Sequence, residues 1–202
     1  MYADKVIEQV ISWRRDIHAH PELSQHEERT SGLVAGVLEG LGLEVARNVG
    51  GFGVVGLLRG QEQGRTIALR ADMDALPLNE ATSLPFASQN PGVMHACGHD
   101  THTAMLLGTA CALSELRDKI RGSVKFIFQP AEELNPVGGA PGMIRDGVLE
   151  GVDALLALHV WPSFETGKIV TRPGSLMAAS DRVFITVRGK SAHGSRPDPL
   201  SA

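Results

Sequence analysis

Four short apolar runs constrain the fold of this chain more than any other feature of its sequence. They lie at residues 53–58, 66–71, 124–128 and 154–158. Each has the length of a strand, and a continuous apolar run is typical of a strand covered on both faces. Helical patterns over 101–116 and 143–148 separate the last three runs. This alternation predicts an α/β fold in which helices flank a central sheet.

Two further helices are predicted before the first apolar run. The first is amphipathic and is expected to end before Pro21. Ser24 and Glu27 then form the pattern of a capping box, in which the Ser24 hydroxyl accepts the Glu27 N–H while Glu27 reaches back. The helix that opens there is expected to stop at Gly40 or Gly42.

The last part of the chain has a different pattern. Residues 182–188 alternate polar and apolar side chains, which predicts a half-exposed antiparallel strand. We therefore place a domain boundary near residue 178. Residues 1–178 would form most of a first domain, and 179–202 would begin a second.

Composition excludes several classes of protein. Hydrophobic residues make up 43% and charged residues 21%, as in globular proteins. A net charge of −4 without a basic cluster argues against nucleic acid or an anionic membrane as partner. No apolar run approaches the ~20 residues of a membrane span, and charges interrupt the N-terminal apolar stretch, unlike a signal peptide. Two cysteines, Cys97 and Cys111, do not form a disulfide scaffold, so we expect a cytoplasmic protein.

Metal-type side chains follow the predicted strands or precede the long helix. Ligands of open α/β sheets bind at the carboxyl ends of the strands, so these side chains are expected to meet at one edge. They come from four segments: Asp72 and Asp74; Cys97, His99 and Asp100; Glu132 and Glu133; and His159.

Each of these signals has a metal interpretation and a structural one. Cys97 and His99 can reach one ion across Gly98, or Cys97 can be a buried thiol beside a helix cap. Glu132 and Glu133 repel each other, which a divalent cation would relieve, or they form a solvated acidic turn. A lone histidine such as His159 is more often a core residue. Taken together, the segments favour a metal site.

The remaining polar residues are assigned supporting roles. Asp74 is predicted to orient a ligand histidine rather than to bind metal directly. His18 and His20 are predicted to be structural. His102 falls one helical turn after His99 and is predicted to support the site or the core. His95 fits either role.

Five motifs, in order along nearly the whole chain, carry a family resemblance. They are RRDIHAHPELS (14–24), RADMDALP (70–77), MHACGHD (94–100), QPAEE (129–133) and GKSAHG (189–194). The sequence resembles the metal-dependent amidohydrolases that include hippurate hydrolase, bacterial aminoacylase and the plant auxin-conjugate hydrolases.

The resemblance implies a zinc-peptidase-like catalytic domain with a mixed sheet, interrupted by a small α+β lid that also forms a homodimer. It implies two divalent ions per full-length subunit, zinc, manganese or cobalt. The implied metal ligands are Cys97, His99, Glu133 and His159. Three further roles are implied: Glu132 as general base, Asp74 as an orienting carboxylate, and His193 as a lid histidine that stabilises the oxyanion in the partner subunit's site.

One departure from the family pattern is large. The family's last metal ligand is a histidine near the C-terminus of the full catalytic domain, and it is absent from these 202 residues. The sequence therefore reads as an N-terminal fragment that contains only the start of the lid.

The predicted reaction is hydrolysis of N-acyl amino acids, of the hippurate or N-acetyl type, by metal-activated water with Glu132 as base. Three alternatives remain. Cys97 and His99 could form a thiol hydrolase, which would leave Glu132, Glu133 and His159 without a role. The chain could be a catalytically incompetent fragment that binds only metal or a partner. It could also be a dipeptidase or carboxypeptidase relative, although such relatives usually carry a histidine in place of Asp72 and an aspartate in place of Cys97.

Overall fold

The computed structural model describes residues 2–134, 137–178, 181, 183–190 and 192–195. Four α-helices and five strands lie in the first of these ranges and the start of the second, with a short 3-10 helix at Arg117–Lys119. In chain order they are α1 (Tyr2–Ala19), α2 (Glu28–Gly40), β1 (Glu44–Val49), β2 (Gly53–Arg59), β3 (Glu62–Asp72), α3 (His99–Ser114), β4 (Arg121–Gln129), α4 (Gly139–Arg145) and β5 (Ala154–Ala157).

The strands form one mixed sheet in the order β1-β2-β4-β3-β5. Strands β1, β2 and β4 pair antiparallel, whereas β3 runs parallel to both β4 and β5. All four predicted strands up to residue 158 are present, and β1 is an addition that the sequence pattern did not reveal. The predicted α/β fold, with a central mixed sheet flanked by helices, is confirmed.

Helices cover the two faces of the sheet through separate apolar clusters. Phe126 and Phe128 of β4 pack in the larger cluster, which includes Leu38 of α2 and Leu107 of α3. Ile127 points to the opposite face and packs in a smaller cluster with residues that include Met143 of α4. Burying side chains of this size on both faces of β4 makes it the central strand of the core, and it fixes where the turn after β4 lies.

The predicted capping box is wrong. Helix α2 begins at Glu28, and its N-cap residue, Glu27, makes no side-chain capping bond. The Glu22 carboxylate caps the helix instead, because it accepts the Arg29 and Thr30 N–H groups at 2.8 Å. The Ser24 hydroxyl instead donates to Asp74 Oδ2 at 2.6 Å. Glu27 is fully buried, and its carboxylate accepts the Ala131 N–H at 2.6 Å. Long-range partners at the sheet edge have taken both side chains away from the local motif.

Edge strand β5 differs from the rest of the sheet. All four of its residues are exposed, and the Leu156 side chain is 60% exposed. The expectation that helices cover both faces of this run is therefore not met by the described residues. The predicted strand extended to residue 158, but β5 ends at Ala157.

The structure divides into two compact units, Met1–Lys168 and Ile169–Ala202. In the second unit, the strand predicted at 182–188 is wrong for residues 183–188, which form no strand; Arg182 lies outside the described residues. A strand requires a hydrogen-bonded neighbour, and no described segment pairs with these residues. The domain boundary near 178 and the lid assignment stay predictions. No helix in the described ranges is both long and apolar enough to cross a membrane.

Candidate metal centre

Parallel pairing brings the carboxyl ends of three strands to one edge of the sheet. Asp72, at the end of β3, is in register with Gln129 at the end of β4. Arg70 of β3 is in register with Ala157 at the end of β5. The segments that follow these strands therefore begin side by side, as the sequence predicted.

His99 lies at the centre of this edge. It begins α3, directly after Gly98, whose φ of +84° is left-handed. The imidazole is fully buried, and its Nδ1–H donates to the Asp74 backbone carbonyl at 2.8 Å. Nε2 has no hydrogen-bond partner among the described residues. A buried imidazole with one nitrogen held and the other unpartnered has the arrangement of a metal ligand.

The other predicted ligands surround this unpartnered nitrogen. Glu132 Oε2 and Glu133 Oε1 each lie 3.9 Å from His99 Nε2. Cys97 Sγ lies 3.4 Å from His159 Nε2. Cys97, His99 and His159 form one compact donor group, and His99, Glu132 and Glu133 form another, each with ligand atoms within 4.8 Å of one another. All four predicted metal ligands thus meet at one place, together with the predicted base.

The field at this place favours positive charge. Burial lowers the pKa of His99, but the hydrogen bond to Asp74, the Cys97 thiol and the nearby carboxylates outweigh it and raise that pKa to about 11. Burial, reinforced by repulsion from Glu133, raises the pKa of Glu132. Neighbouring carboxylates contribute to both shifts, because they favour the positive charge of His99 and disfavour a further negative charge on Glu132. A divalent cation would relieve this excess of negative charge.

Asp74 joins three parts of the centre. Besides the Ser24 hydroxyl, its Oδ2 accepts the Glu133 backbone N–H at 2.9 Å, and its Oδ1 lies 3.3 Å from His99 Nδ1. The carboxylate is buried, and burial alone would raise its pKa. The hydrogen bonds from His99, Ser24 and Glu133 outweigh burial and lower it. Asp74 therefore stays ionised and fixes the orientation of the imidazole, the geometry expected of the carboxylate behind a ligand histidine.

A third donor group contains His102, and its hydrogen bonds argue against metal binding there. Asp72, His99 and His102 also lie close enough to share an ion. However, His102 Nε2 accepts the Val160 N–H at 2.9 Å, so its Nδ1–H must be the donor to Asp72 Oδ1 at 2.5 Å. Both ring nitrogens are in use. Arg70 holds the other oxygen of Asp72 at 2.6 Å.

The donor set fits a transition-metal ion. It combines a thiol, two imidazoles and carboxylates, and among the described residues His99 Nε2 has no other partner. His159 matches this arrangement, because its Nδ1–H donates to the Val160 carbonyl at 2.6 Å, which leaves Nε2 facing Cys97. Mixed S, N and O donors of this kind suit zinc, and also cobalt or manganese.

Four other histidines had been singled out from the sequence, and each has its own surroundings in the described structure. His18 bonds Asp100 through Nδ1 at 2.8 Å, and His20 Nδ1 donates to the Asp16 carbonyl at 2.8 Å. His95 is buried, and neither ring nitrogen has a hydrogen-bond partner in the described ranges. His193 belongs to the second unit, where its Nδ1 lies 2.8 Å from Ser195 Oγ. Its assignment as an oxyanion group stays a prediction.

Sequence reasoning missed two supporting residues. Glu27 was assigned to a helix cap, yet its buried carboxylate contacts the turn that carries Glu132. His102 was placed near the site, but its bond to the Val160 N–H, next to His159, was not foreseen. Nothing in the local sequence indicates the His102 contact, which spans 58 positions.

Comparison with known proteins gives this geometry a context. The model of peptidase family M20/M25/M40 matches residues 68–199. An N-acyl-L-amino acid amidohydrolase of Geobacillus stearothermophilus is 54% identical over 195 residues, which are 96% of this chain and 52% of that protein. Thermostable carboxypeptidase 1 of Saccharolobus solfataricus is 52% identical over 196 residues, 95% of this chain and 50% of that protein. The chain thus spans about half the length of these relatives.

A solved structure agrees in fold. The YXEP protein of Bacillus subtilis, described as a dinuclear metal binding peptidase of the M20 family, superposes with a TM-score of 0.75 at 45% identity. The match covers 79% of this chain and 45% of that one. The zinc-peptidase-like fold and the family resemblance inferred from the five motifs are confirmed.

Proposed function

This chain belongs to peptidase family M20/M25/M40. On that premise we propose that it forms part of a metal-dependent amidohydrolase that cleaves the amide bond of N-acyl amino acids. One observation carries the proposal. The unpartnered, buried Nε2 of His99 lies where a thiol, a second imidazole and two carboxylates converge. The similarity to an N-acyl-L-amino acid amidohydrolase supports the substrate class.

The proposed roles follow from the contacts. Cys97, His99, Glu133 and His159 would hold two divalent ions together with residues outside this chain. Bound there, such ions would act as Lewis acids on a water molecule and on the substrate carbonyl. Glu132 lies beside the donor groups and would take the proton from the attacking water and deliver it to the leaving amine.

The wider proposal includes partners and location. The substrate would be a small N-acyl amino acid, of the hippurate or N-acetyl type. His193, carried by a lid domain that begins near residue 179, would stabilise the oxyanion across a homodimer. We expect the protein to work in the cytoplasm.

Similarity to a carboxypeptidase supports a second candidate. Thermostable carboxypeptidase 1 is nearly as similar to this chain as the amidohydrolase is. Both activities cleave an amide bond that precedes a free carboxylate, so the same water and the same base would serve either. N-acetyl amino acids and N-blocked dipeptides, compared by kcat/KM, distinguish the two candidates.

The decisive experiment combines metal analysis with turnover. Protein purified without chelator should contain bound metal, and Cys97→Ser should lose part of it because a soft ligand is removed. The matched control is Cys111→Ser, which changes the other cysteine, inside α3. Hydrolysis of N-acetyl amino acids should stop with EDTA and return with added metal. Bound metal that is indifferent to Cys97→Ser would contradict the ligand assignment.

The same experiment tests the remaining alternatives. A thiol hydrolase would survive EDTA and lose activity when Cys97 is changed, even in the absence of metal. Metal binding without turnover, restored when the remaining half of a full-length subunit is added, would identify the 202-residue chain as an incompetent fragment. Glu132→Gln should abolish turnover while metal stays bound, because the base is lost and the other donors remain.

A further inference from the structure

The turn that carries Glu132 has an unusual backbone. Ala131, the residue before it, has a φ of +51°. A non-glycine residue in this left-handed region costs on the order of 1–3 kcal/mol and persists only when its surroundings hold it there. Ala131 is also nearly fully buried. The turn is therefore held by specific contacts at the point where the chain leaves β4.

Both sides of Glu132 are tied to buried carboxylates. The Ala131 N–H before it donates to Glu27 Oε1 at 2.6 Å, and the Glu133 N–H after it donates to Asp74 Oδ2 at 2.9 Å. Glu27 and Ala131 are 104 positions apart in the chain. The same short segment, residues 24–27, therefore supports both sides of the turn. Glu27 accepts the Ala131 N–H directly, and the Ser24 hydroxyl donates to Asp74, which accepts the Glu133 N–H.

We infer that Glu27 is a positioning residue for Glu132, acting through the Ala131 N–H. The bond fixes Ala131 in its left-handed conformation, and that conformation turns Glu132 toward His99, while Asp74 holds the Glu133 N–H independently of Glu27. Without the acceptor, the buried Ala131 N–H is left unsatisfied and the turn relaxes toward ordinary backbone angles. A base displaced by about 1 Å loses on the order of a hundredfold in rate. The inference rests on the proposed function, in which Glu132 is the base.

A pair of variants of equal length isolates the hydrogen bond. Glu27→Gln keeps a carbonyl oxygen that can accept the Ala131 N–H, whereas Glu27→Met fills the same volume with no strong acceptor. Glu28→Met is the matched control, since Glu28 is the next residue and is exposed in the first turn of α2. Thermal unfolding shows that each variant is folded. Glu27→Asp, which keeps the charge and withdraws the acceptor by one methylene, replaces the Met variant if that one does not fold.

Three readouts in the metal-loaded enzyme separate positioning from general stability. In Glu27→Met, hydrogen exchange of the Ala131 amide should rise at least about tenfold. Its kcat should fall about 10- to 100-fold with KM and metal content unchanged. Glu27→Gln should restore kcat to within about threefold of wild type, and the Glu28 control should match wild type.

The outcomes that overturn the inference are distinct from failure of the proposed function. A folded Glu27→Met enzyme with wild-type kcat overturns it, and so does a Gln variant as slow as the Met variant. Glu132→Gln is measured in parallel. If that variant is inactive while Glu27→Met is active, only the positioning role fails. If Glu132→Gln remains active, the base assignment fails and the inference falls with it.

Discussion

The two sides of the candidate centre are held by the protein in very different ways. The inner side consists of Asp74, His99 and the turn with Glu132 and Glu133, and it rests on buried hydrogen bonds to the core. The outer side consists of β5 and the segment with His159, whose residues are exposed in the described structure. The candidate centre thus takes its donor groups from a preorganised inner side and from a lightly supported outer side.

This difference shows where the protein contributes rigidity. The buried carboxylate of Asp74 fixes the orientation of the His99 ring in the absence of an ion. Binding an ion would therefore require little loss of side-chain freedom at His99. The segment with His159 is joined to this inner side through the hydrogen bond from the Val160 N–H to His102. Gly98 adds a close approach, because a Cβ at that position would lie 2.5 Å from Val160 Cγ2. We expect the two sides to respond differently to substitution.

The largest expected difference is in metal content. His99→Ala should remove all bound metal, because His99 belongs to every donor group found in the described residues. His159→Ala should retain metal, since His99, Glu132 and Glu133 still form a group without it. Elemental analysis of each variant measures this, with His20→Ala as a histidine control away from the centre. Equal metal loss in both variants would show that the outer side is as essential as the inner one.

The next expected difference is in stability. Phe126→Ala, in the fully buried middle of β4, should lower the free energy of unfolding by about 3–5 kcal/mol through lost packing and a cavity. Leu156→Ala, at the exposed edge strand, should change it by no more than about 0.5 kcal/mol. Urea unfolding at constant m-value measures both. A large loss in Leu156→Ala would mean that β5 is buried in the protein as it exists in solution.

The smallest expected effect tests the link between the two sides. His102→Ala leaves the Val160 N–H without its acceptor, and metal affinity should weaken about 10- to 100-fold, as for other residues that orient a ligand. Competition with a chromophoric chelator measures the affinity. His102→Gln can still offer an oxygen to Val160 and should recover part of the loss. Unchanged affinity in His102→Ala would show that the His159 segment is positioned by other contacts.

Up to residue 158, sequence alone was sufficient for the order of elements, apart from β1, and for the set of metal-type residues. The apolar runs that became β2, β3 and β4 must be buried, and burial on both faces leaves few other folds for them. Cys97, His99, Glu132, Glu133 and His159 could be selected because each follows a strand or opens a helix at the ligand-binding edge. The motif resemblance supplied the roles that spacing alone left open.

Tertiary structure decided how those residues are held. Ser24 and Glu27 have the local pattern of a capping box, but the buried sheet edge offered Asp74 and the Ala131 N–H as partners. A buried donor or acceptor left unpaired costs more than an exposed cap contributes, so the long-range partners prevail. Likewise, His102 meets Val160 only because β3 and β5 are neighbours in the sheet. Such contacts join positions far apart in the chain, and no local pattern encodes them.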